Sequence, residues 1–438
     1  MEFLATGQAS ADLGWAFYGP LALLVGLIVL GIPIWVAIGL GTLGMLTMTE
    51  TLPLSVFGES LFEGINAFAL IAVPLFILTG DALVRSGLSG KLLDVAEASV
   101  GGMRTGLGSS TTLGCGFFAC ISGSDAAGAA AVGRMTIHRL VERGYPLPAA
   151  CALVASGACT GILIPPSIAY IVMGLVLGMS VSTLFLAAAI PGVMVMLAVM
   201  TTNVVLNRLY GFEGERAPFS WSRWAATVWD ARWALFVPVV ILGGIYSGIF
   251  TPTEAASVAV VVVVLIGLHQ GRLTLGDIPR MLESSARVCG VIVPIIAVSL
   301  PLAQTLASLD IPQTMVTGVG ELTDSPVLII LLMIGILILA GCVMETTPNI
   351  VILSPLLLPL ALEVGMNQFH FAILMVTTLG LGFITPPLGL NLFVVSGLTR
   401  CSVLAIARYA FPFVLGMLLV VLLIAFVPWL STWWLKLN

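Results

Sequence analysis

One motif occurs twice in this chain, as GILIPPSIAYIVMG at residues 161–174 and as GFITPPLGLNLFVVS at residues 382–396. Each copy carries two adjacent prolines inside a long apolar segment, and another proline follows each pair at the same distance. The repeat interval, which is the distance from Pro165 to Pro386, holds without a gap from about residue 86 to residue 196. Upstream, VGLIVLGIPIWVA resembles LGGIYSGIFTPTEA at a slightly shorter interval. This self-similarity predicts a chain built from two related halves.

The composition excludes a water-soluble protein. Of the 438 residues, 59% are hydrophobic and only 8% are charged, whereas soluble domains carry about 25% charged residues. Apolar runs of about 20 residues recur along the whole chain, which predicts an all-α polytopic membrane protein in a lipid bilayer. A transmembrane barrel would instead show alternating segments of about ten residues. The net charge of −5 and the lack of a basic patch favour no nucleic-acid partner.

The basic residues indicate how the halves are oriented, because loops facing the cytoplasm are enriched in Lys and Arg. No Lys or Arg occurs between Val288 and Thr399, whereas the matching part of the first half is rich in them. Equivalent segments should therefore face opposite sides of the membrane, as in the inverted repeats of secondary transporters. With both termini outside, every basic residue except Lys436 falls on the cytoplasmic side. The first-half residues concerned are Arg85, Lys91, Arg104, Arg134, Arg139 and Arg143.

Each half is predicted to contain scaffold helices, a helical hairpin, a proline-broken helix and a last helix. In the first half, residues 1–210, these lie at 18–85, 105–140, 147–180 and 182–206. A cytoplasmic link follows at 211–232. In the second half, residues 233–438, they lie at 233–306, 326–362, 368–398 and 403–430.

The two hairpins are expected to be re-entrant. Residues 105–121 and 125–140 are each short for a span, and the arginines that flank them need the same side of the membrane. The turn lies near SGSDAAG, and its counterpart in the second half is AGCVMETTPN at residues 340–349. Non-helical backbone at membrane depth is tolerated only inside protein or beside a wet cavity, so the two tips should meet polar groups.

The proline pairs supply such groups. A proline in a helix leaves the carbonyl four residues before it without its usual donor, which here concerns Gly161, Ile162, Gly382 and Phe383. Carbonyl and hydroxyl oxygens suit a hard cation, and helix N-termini suit an anion. Because neutral oxygens dominate both groups, we expect Na⁺ at two sites. The candidate ligands are Ser122, Gly123, Ser124, Ser156, Gly157, Thr160 and the Gly161 carbonyl for the first, and Met344, Glu345, Thr346, Thr347, Thr377, Thr378, Gly382 and Thr385 for the second.

Simpler structural roles compete with these assignments. Ser and Thr side chains also join helices in membranes by hydrogen bonds. Asp125 could cap the second helix of its hairpin rather than contact an ion or a substrate. Thr251, Pro252 and Glu254 form the pattern of a capping box, which favours a structural role for this carboxylate.

The motifs resemble the large membrane subunit of tripartite ATP-independent periplasmic (TRAP) transporters. The segment from SGSDAAGAAAVGRMTIHRLVERGYP to AAAIPG resembles its first-half signature, and GIFTPTEAA and GLGFITPPLGLNLFV resemble its second-half signatures. The resemblance implies Na⁺-driven import of a small organic acid across a bacterial inner membrane by an elevator-type movement. It further implies a separate small membrane subunit of four helices and a periplasmic substrate-binding protein.

The same resemblance points to substrate contacts. Ser124 matches a hairpin serine near the substrate, and Glu345 falls where the second hairpin usually has an Asp. The first hairpin departs from the family pattern, because Asp125 directly follows the GS pair and Gly128 stands where an acid is common. We expect the organic acid anion to contact Ser124, Asp125, Glu345, Thr346 and Asn391.

Two alternatives remain open. The chain could be a Na⁺–dicarboxylate symporter that works without a binding protein, since such proteins share the paired hairpins. It could also be an intramembrane hydrolase that uses Asp125 and Glu345 as a carboxylate pair. The sequence lacks HExxH and GxSxG motifs, so we expect no enzyme and prefer a transporter.

Overall fold

The protein is a polytopic α-helical membrane protein, as the composition predicts. A computed structural model describes residues 14–102, 105–213 and 219–436, and these residues form helices joined by short connections without any β-strand. Within them, seven helices are long and apolar enough to cross a membrane, or eight if the bent pair at 221–246 is one span. Residues 1–13 and 437–438 lie outside the described residues, and so does Arg104. The predicted placement of both termini outside and of Arg104 on the cytoplasmic side therefore concerns residues that the structure does not describe.

The first part of the chain ends with a long helix. The helices are α1 (Gly14–Val29), α2 (Ile34–Thr49), α3 (Leu54–Ile65), α4 (Ala72–Arg85), α5 (Leu88–Val100), α6 (Gly106–Ser122), α7 (Asp125–Glu142), α8 (Leu147–Ala158), α9 (Ile168–Leu177) and α10 (Val181–Tyr210). Short 3₁₀ turns at Phe68–Ile71 and Cys159–Ile162 precede α4 and follow α8.

The second part begins with α11, which lies inside the predicted link. Its helices are α11 (Trp221–Asp230), α12 (Arg232–Tyr246), α13 (Pro252–His269), α14 (Ile278–Ala297), α15 (Ser299–Ser308), α16 (Ile311–Leu322), α17 (Pro326–Val343), α18 (Thr346–Glu363), α19 (Gln368–Gly382), α20 (Leu390–Thr399), α21 (Val403–Phe426) and α22 (Trp429–Thr432). Further 3₁₀ turns lie at Leu275–Asp277 and Trp433–Lys436. Residues 214–218 of the link lie outside the described ranges.

Helix starts recur along the chain at the repeat interval of the sequence motif. When the starts of α6 to α10 are shifted by this interval, each falls within one residue of the start of the corresponding helix among α17 to α21. The packing recurs as well, because α7 packs on α8 and α20 while α18 packs on α19 and α9. Cys159 and Gly380 are themselves related by the repeat interval and contact each other, since the Cys159 Sγ lies 3.3 Å from the Gly380 carbonyl oxygen.

Both proline pairs interrupt a helix, as predicted, but most of the released carbonyls find other donors. The Ser167 hydroxyl donates to the Ile162 carbonyl at 2.6 Å. The Thr385 N–H donates to the Gly382 carbonyl at 3.0 Å, and the Asn391 N–H to the Phe383 carbonyl at 3.1 Å. The expectation of free carbonyls at these three positions is therefore wrong. A carbonyl oxygen has two lone pairs, so each can still accept a second interaction.

Candidate functional site

A cavity of about 400 Å³ lies between the α6–α7 tip, the start of α18, and the helices α4 and α14. Both predicted hairpin tips therefore border one space. Its polar lining consists of Ser122, Ser124, Asp125 and Arg134 from the first pair, Glu345, Thr346 and Thr347 from the second, Asp81 from α4 and Ser284 from α14.

The first tip is a tight turn between two helices. Gly123 ends α6 in the left-handed region at φ 61°, where a residue without a Cβ is least strained. Ser124 is the N-cap of α7, and its Oγ accepts from the Ala127 N–H at 3.4 Å. The cap that we considered for Asp125 therefore belongs to Ser124. Asp125 occupies the first turn of α7, is 4% exposed, and has its Oδ2 without a hydrogen-bond partner among the described residues.

This tip packs backbone to backbone against the first broken helix. The Ile168 N–H donates to the Gly123 carbonyl at 3.3 Å. A Cβ on Gly161 would lie 2.6 Å from the Asp125 nitrogen, and one on Gly123 would lie 2.8 Å from the Pro166 carbonyl oxygen. Only glycine permits these approaches. The structure thus brings predicted residues 122–125 together with Gly161.

The remaining predicted ligands of the first cation lie on α8 and on the 3₁₀ turn that follows it. Ser156 is fully buried, and its Oγ has no partner in the described part of the chain. The Thr160 hydroxyl donates to the Gly157 carbonyl at 2.7 Å, which leaves its oxygen able to accept. Gly157 faces the middle of α6, since a Cβ there would lie 3.3 Å from the Cys115 Sγ. These three residues are buried behind the tip and do not line the cavity.

The second tip meets the second break in a similar way. A Cβ on Gly382 would lie 2.6 Å from the Gly341 Cα, and the Leu388 N–H donates to the Cys342 carbonyl at 3.2 Å. Glu345 is exposed toward the cavity, whereas Thr346 and Thr347 are buried. The Thr346 Oγ1 has no partner within the described residues.

The threonines near this break each donate to the carbonyl four residues earlier in the chain. The hydroxyls of Thr377, Thr378 and Thr385 donate to the carbonyls of residues 373, 374 and 381 at 2.7, 2.7 and 2.9 Å. Each hydroxyl therefore keeps acceptor capacity for a cation.

Asn349 is a polar group of this tip that the sequence reasoning missed. Its Nδ2 donates to the Ala340 carbonyl at 3.2 Å and to the Met344 carbonyl at 3.0 Å, so it holds the end of α17 against the start of α18. Asn349 is fully buried. The available signal was an amide in a largely apolar helix, at the position that the repeat interval relates to Gly128.

Asn391 lies apart from the cavity. It is fully buried at the start of α20, and its Nδ2 donates to the Ala155 carbonyl of α8 at 3.2 Å. Its side chain joins the two broken helices, and it is not among the cavity-lining residues. A direct contact with the substrate stays a prediction that this position does not favour.

Two charged residues of the cavity were not recognised as site residues from the sequence. Asp81 pairs with Arg85 at 3.0 Å one helical turn later. Arg134 is exposed at the cavity lining, although its position suggested only a cytoplasmic anchor. The cavity lining thus carries three carboxyl groups, from Asp81, Asp125 and Glu345, and one cationic side chain, from Arg134. An anion entering this space needs additional positive charge.

A sequence profile of the family described as tripartite ATP-independent periplasmic transporter, DctM component, matches residues 21–430. The chain belongs to this family. The DctM-family chain is 37% identical to a C4-dicarboxylate TRAP transporter large permease protein from Pseudomonas aeruginosa, over 90% of this chain and 92% of the relative. It is 31% identical to a 2,3-diketo-L-gulonate TRAP transporter large permease protein from Escherichia coli, over 93% and 96%.

A third relative is longer than this DctM-family chain. The chain is 35% identical to an isethionate TRAP transporter permease protein, named DctMQ, from Oleidesulfovibrio alaskensis, over 94% of this chain but only 66% of the relative. These relatives carry the names of transporter permeases. The DctM-family chain is accordingly not an enzyme, and the intramembrane hydrolase hypothesis is wrong.

The fold is also similar to that of solved transporters. The YdaH transporter of Alcanivorax borkumensis matches with a TM-score of 0.60 over 87% of this chain and 89% of that chain, at 16% identity. MtrF of Neisseria gonorrhoeae matches with a TM-score of 0.56 over 85% and 82%, at 13% identity. At these identities the likeness concerns the fold alone.

Proposed function

We propose that this chain imports a small organic acid anion, coupled to Na⁺, as the large permease subunit of a TRAP transporter in a bacterial inner membrane. A small four-helix membrane subunit and a periplasmic substrate-binding protein would complete the transporter. The observation that carries the proposal is that both helix-pair tips, each packed on a proline break, border one cavity. The substrates named for the relatives are organic acids, which supports the same substrate class.

The proposed architecture is an inverted repeat with two re-entrant hairpins, α6–α7 and α17–α18. The recurrence of helix starts at the repeat interval and the opposite distribution of basic residues support it. An elevator movement would carry α6–α10 with α17–α21 against a scaffold of α1–α4 and α12–α15. The cavity lies where these groups meet, since α4 and α14 form one wall and the tips form the other.

Na⁺ would supply the positive charge that the cavity lacks. The proposed first site uses the tip residues 122–124 with Ser156, Gly157, Thr160 and Gly161. The second uses Met344 and Thr347 with Thr377, Thr378, Gly382 and Thr385. The anion would contact Ser124, Asp125, Glu345 and Thr346. Attraction between the anion and the bound cation would favour their joint occupancy over binding of either alone.

Uptake by proteoliposomes tests the coupling. Vesicles holding both membrane subunits and the binding protein should take up succinate, 2,3-diketogulonate or isethionate with external Na⁺, and uptake should vanish with equimolar K⁺. Equal uptake in the two salts would refute Na⁺ coupling. Uptake of none of the three acids would show that the relatives' substrates do not extend to this chain. Uptake that is complete without the binding protein would instead support the stand-alone symporter.

Two matched pairs of variants test the site. Ser124→Ala should reduce uptake at least tenfold, whereas Ser402→Ala, which removes the equivalent N-cap from α21 at a residue that does not line the cavity, should leave uptake near normal. Glu345→Gln should also impair uptake, whereas Glu363→Gln at the exposed end of the same helix should not. Normal uptake in both Ser124→Ala and Glu345→Gln would place the site elsewhere.

The topology needs labels away from the tips, because both tips share one cavity. Glu142 and Glu363 are exposed at the ends of α7 and α18 and occupy equivalent positions in the two halves. In a background without the native cysteines, Glu142→Cys should react with an impermeant maleimide from the cytoplasmic side only. Glu363→Cys should react from the periplasmic side only. Reaction of both from the same side would exclude the inverted repeat.

A further inference from the structure

A second cleft lies on the side of α10 and α21, outside the transport cavity. It has a volume of about 270 Å³ and is lined mainly by aromatic and aliphatic side chains together with Arg408. The two helices approach closely at Gly416, where a Cβ would lie 2.5 Å from the Thr202 Oγ1. The cleft begins next to this contact and reaches the end of α10. Its lining residues are Tyr145, Ala149, Asn203, Leu206, Tyr210, Phe212, Arg408, Tyr409, Pro412 and Phe413.

Arg408 is unusual for its position. It is exposed, and within the described part of the chain it has no hydrogen-bond or ion-pair partner. It lies five residues after the start of α21, which corresponds to about 7.5 Å of helix. The apolar span of α21 continues beyond it to Phe426. A charged side chain at this depth is costly unless it reaches an anionic group or water.

The wall around Arg408 resembles a lipid site more than a site for a soluble anion. Tyr210 and Tyr409 are exposed beside the cleft, and Tyr210 stacks on Phe212 with ring centroids 5.5 Å apart. Aromatic rings of this kind favour the boundary between headgroups and acyl chains. Leu404 and Phe411 continue an exposed apolar surface on α21.

A buried amide adds a second polar group to the cleft. Asn203 is 1% exposed, and its Nδ2 has no partner among the described residues. Its Oδ1 accepts from the Tyr145 hydroxyl at 3.2 Å. The nearby acid Glu213 forms no ion pair with Arg408 among the described residues. Its carboxylate accepts from the Leu107 and Gly108 N–H groups and shares the one Tyr145 hydroxyl proton with the Asn203 Oδ1. The cleft therefore offers a cation and a free donor above an apolar floor.

We propose that this cleft binds an anionic phospholipid of the cytoplasmic leaflet. The Arg408 guanidinium would bind the phosphate, because its planar fork of N–H groups can donate to two phosphate oxygens at once. Asn203 Nδ2 would donate to a polar oxygen at the top of the acyl chains, and Leu206, Pro412 and Phe413 would contact the chain itself. The bound lipid fills the space between α10 and α21 and holds their cytoplasmic ends together. Basic pockets between spans at this leaflet are suited to such headgroups.

Lipid titrations of the purified full-length chain test the proposal. Delipidated protein in neutral detergent is titrated with dioctanoyl phosphatidylglycerol or dioctanoyl phosphatidylcholine, while thermal unfolding and native mass spectrometry are recorded. Phosphatidylglycerol should raise the melting temperature until the effect saturates. Native mass spectrometry should show one bound phosphatidylglycerol molecule per chain. Phosphatidylcholine should require at least a tenfold higher concentration.

Variants assign the effect to Arg408. Arg408→Gln should raise the half-saturating concentration of phosphatidylglycerol at least tenfold, and Arg408→Lys should raise it less because it keeps the charge. Arg208→Gln, which removes an exposed arginine from α10 outside the cleft, should change it less than twofold. An Arg408→Gln protein that binds phosphatidylglycerol like the wild type would overturn the proposal. Equal saturable stabilisation by inorganic phosphate would also overturn it, because the site would then bind phosphate that is not attached to a lipid.

Discussion

Gly161→Ala tests whether the first tip must sit directly on the first proline break. The added Cβ would lie 2.6 Å from the Asp125 nitrogen and 2.7 Å from the Ser124 carbonyl carbon, whereas ordinary contacts begin at 3.4 Å. The backbone of the tip or of the break must therefore move by about 0.8 Å. Backbone atoms cannot rotate away as a flexible side chain can. Overpacking of this kind costs about 1–3 kcal/mol.

The cost should fall on the arrangement in which the tip contacts the break. If the first Na⁺ site needs that arrangement, the penalty converts into a roughly 5- to 150-fold rise in the Na⁺ concentration for half-maximal uptake. The melting temperature in detergent should fall as well. The assay is initial uptake in proteoliposomes across a Na⁺ series, with the unfolding transition measured on the same preparation.

The matched control is Gly397→Ala on α20. A Cβ at this helical position meets no atom within 4 Å, and alanine favours a helix over glycine by roughly 0.5–1 kcal/mol. Gly397→Ala should therefore leave the Na⁺ dependence unchanged and keep or raise stability. If Gly161→Ala and Gly397→Ala show the same Na⁺ dependence and the same melting temperature, close contact between tip and break is not required for ion binding.

Three further predictions concern polar groups that hold the molecule together. Asn349→Ala should impair uptake and lower the free energy of unfolding by about 1–3 kcal/mol, because the Ala340 and Met344 carbonyls lose a donor. Unchanged stability in chemical denaturation would contradict this bracing role. Glu213→Gln should lower the free energy of unfolding by about 1–3 kcal/mol, because glutamine has a single acceptor oxygen and its NH2 group would face one of the donors that Glu213 now satisfies at two oxygens. An unchanged melting temperature would argue against it. Burial raises the pKa of Glu213 above its ordinary value of 4.5, so the folded protein binds this proton at a higher pH than the unfolded chain does. The free energy of unfolding should therefore rise as the pH falls through the raised pKa toward 4.5. Melting temperatures measured against pH should show this rise in the wild type and a smaller one in Glu213→Gln.

The sequence alone was sufficient for the class and the family. Long apolar runs predict membrane-spanning helices without tertiary information, because a lipid-facing helix needs a continuous apolar surface. The proline pairs mark the breaks without any tertiary information, since a proline lacks the N–H that a helix requires at that point. Asp125 and Glu345 stood out because charged groups are rare in such segments.

Tertiary structure alone decided which polar groups share a space and which are satisfied by neighbours. Ser167 and Asn391 each donate one hydrogen bond to a carbonyl that the prolines release, and the folded geometry of each break brings those donors within reach. Asp81, Arg134 and Ser284 join the cavity from α4, α7 and α14 because helices distant in sequence pack side by side. Asn391 turned away from the cavity for the same reason, since the acceptor of its side-chain amide is a carbonyl of α8 in the other half of the chain. A local pattern specifies where the backbone breaks, whereas the partner of each exposed group depends on how separate helices are placed in three dimensions.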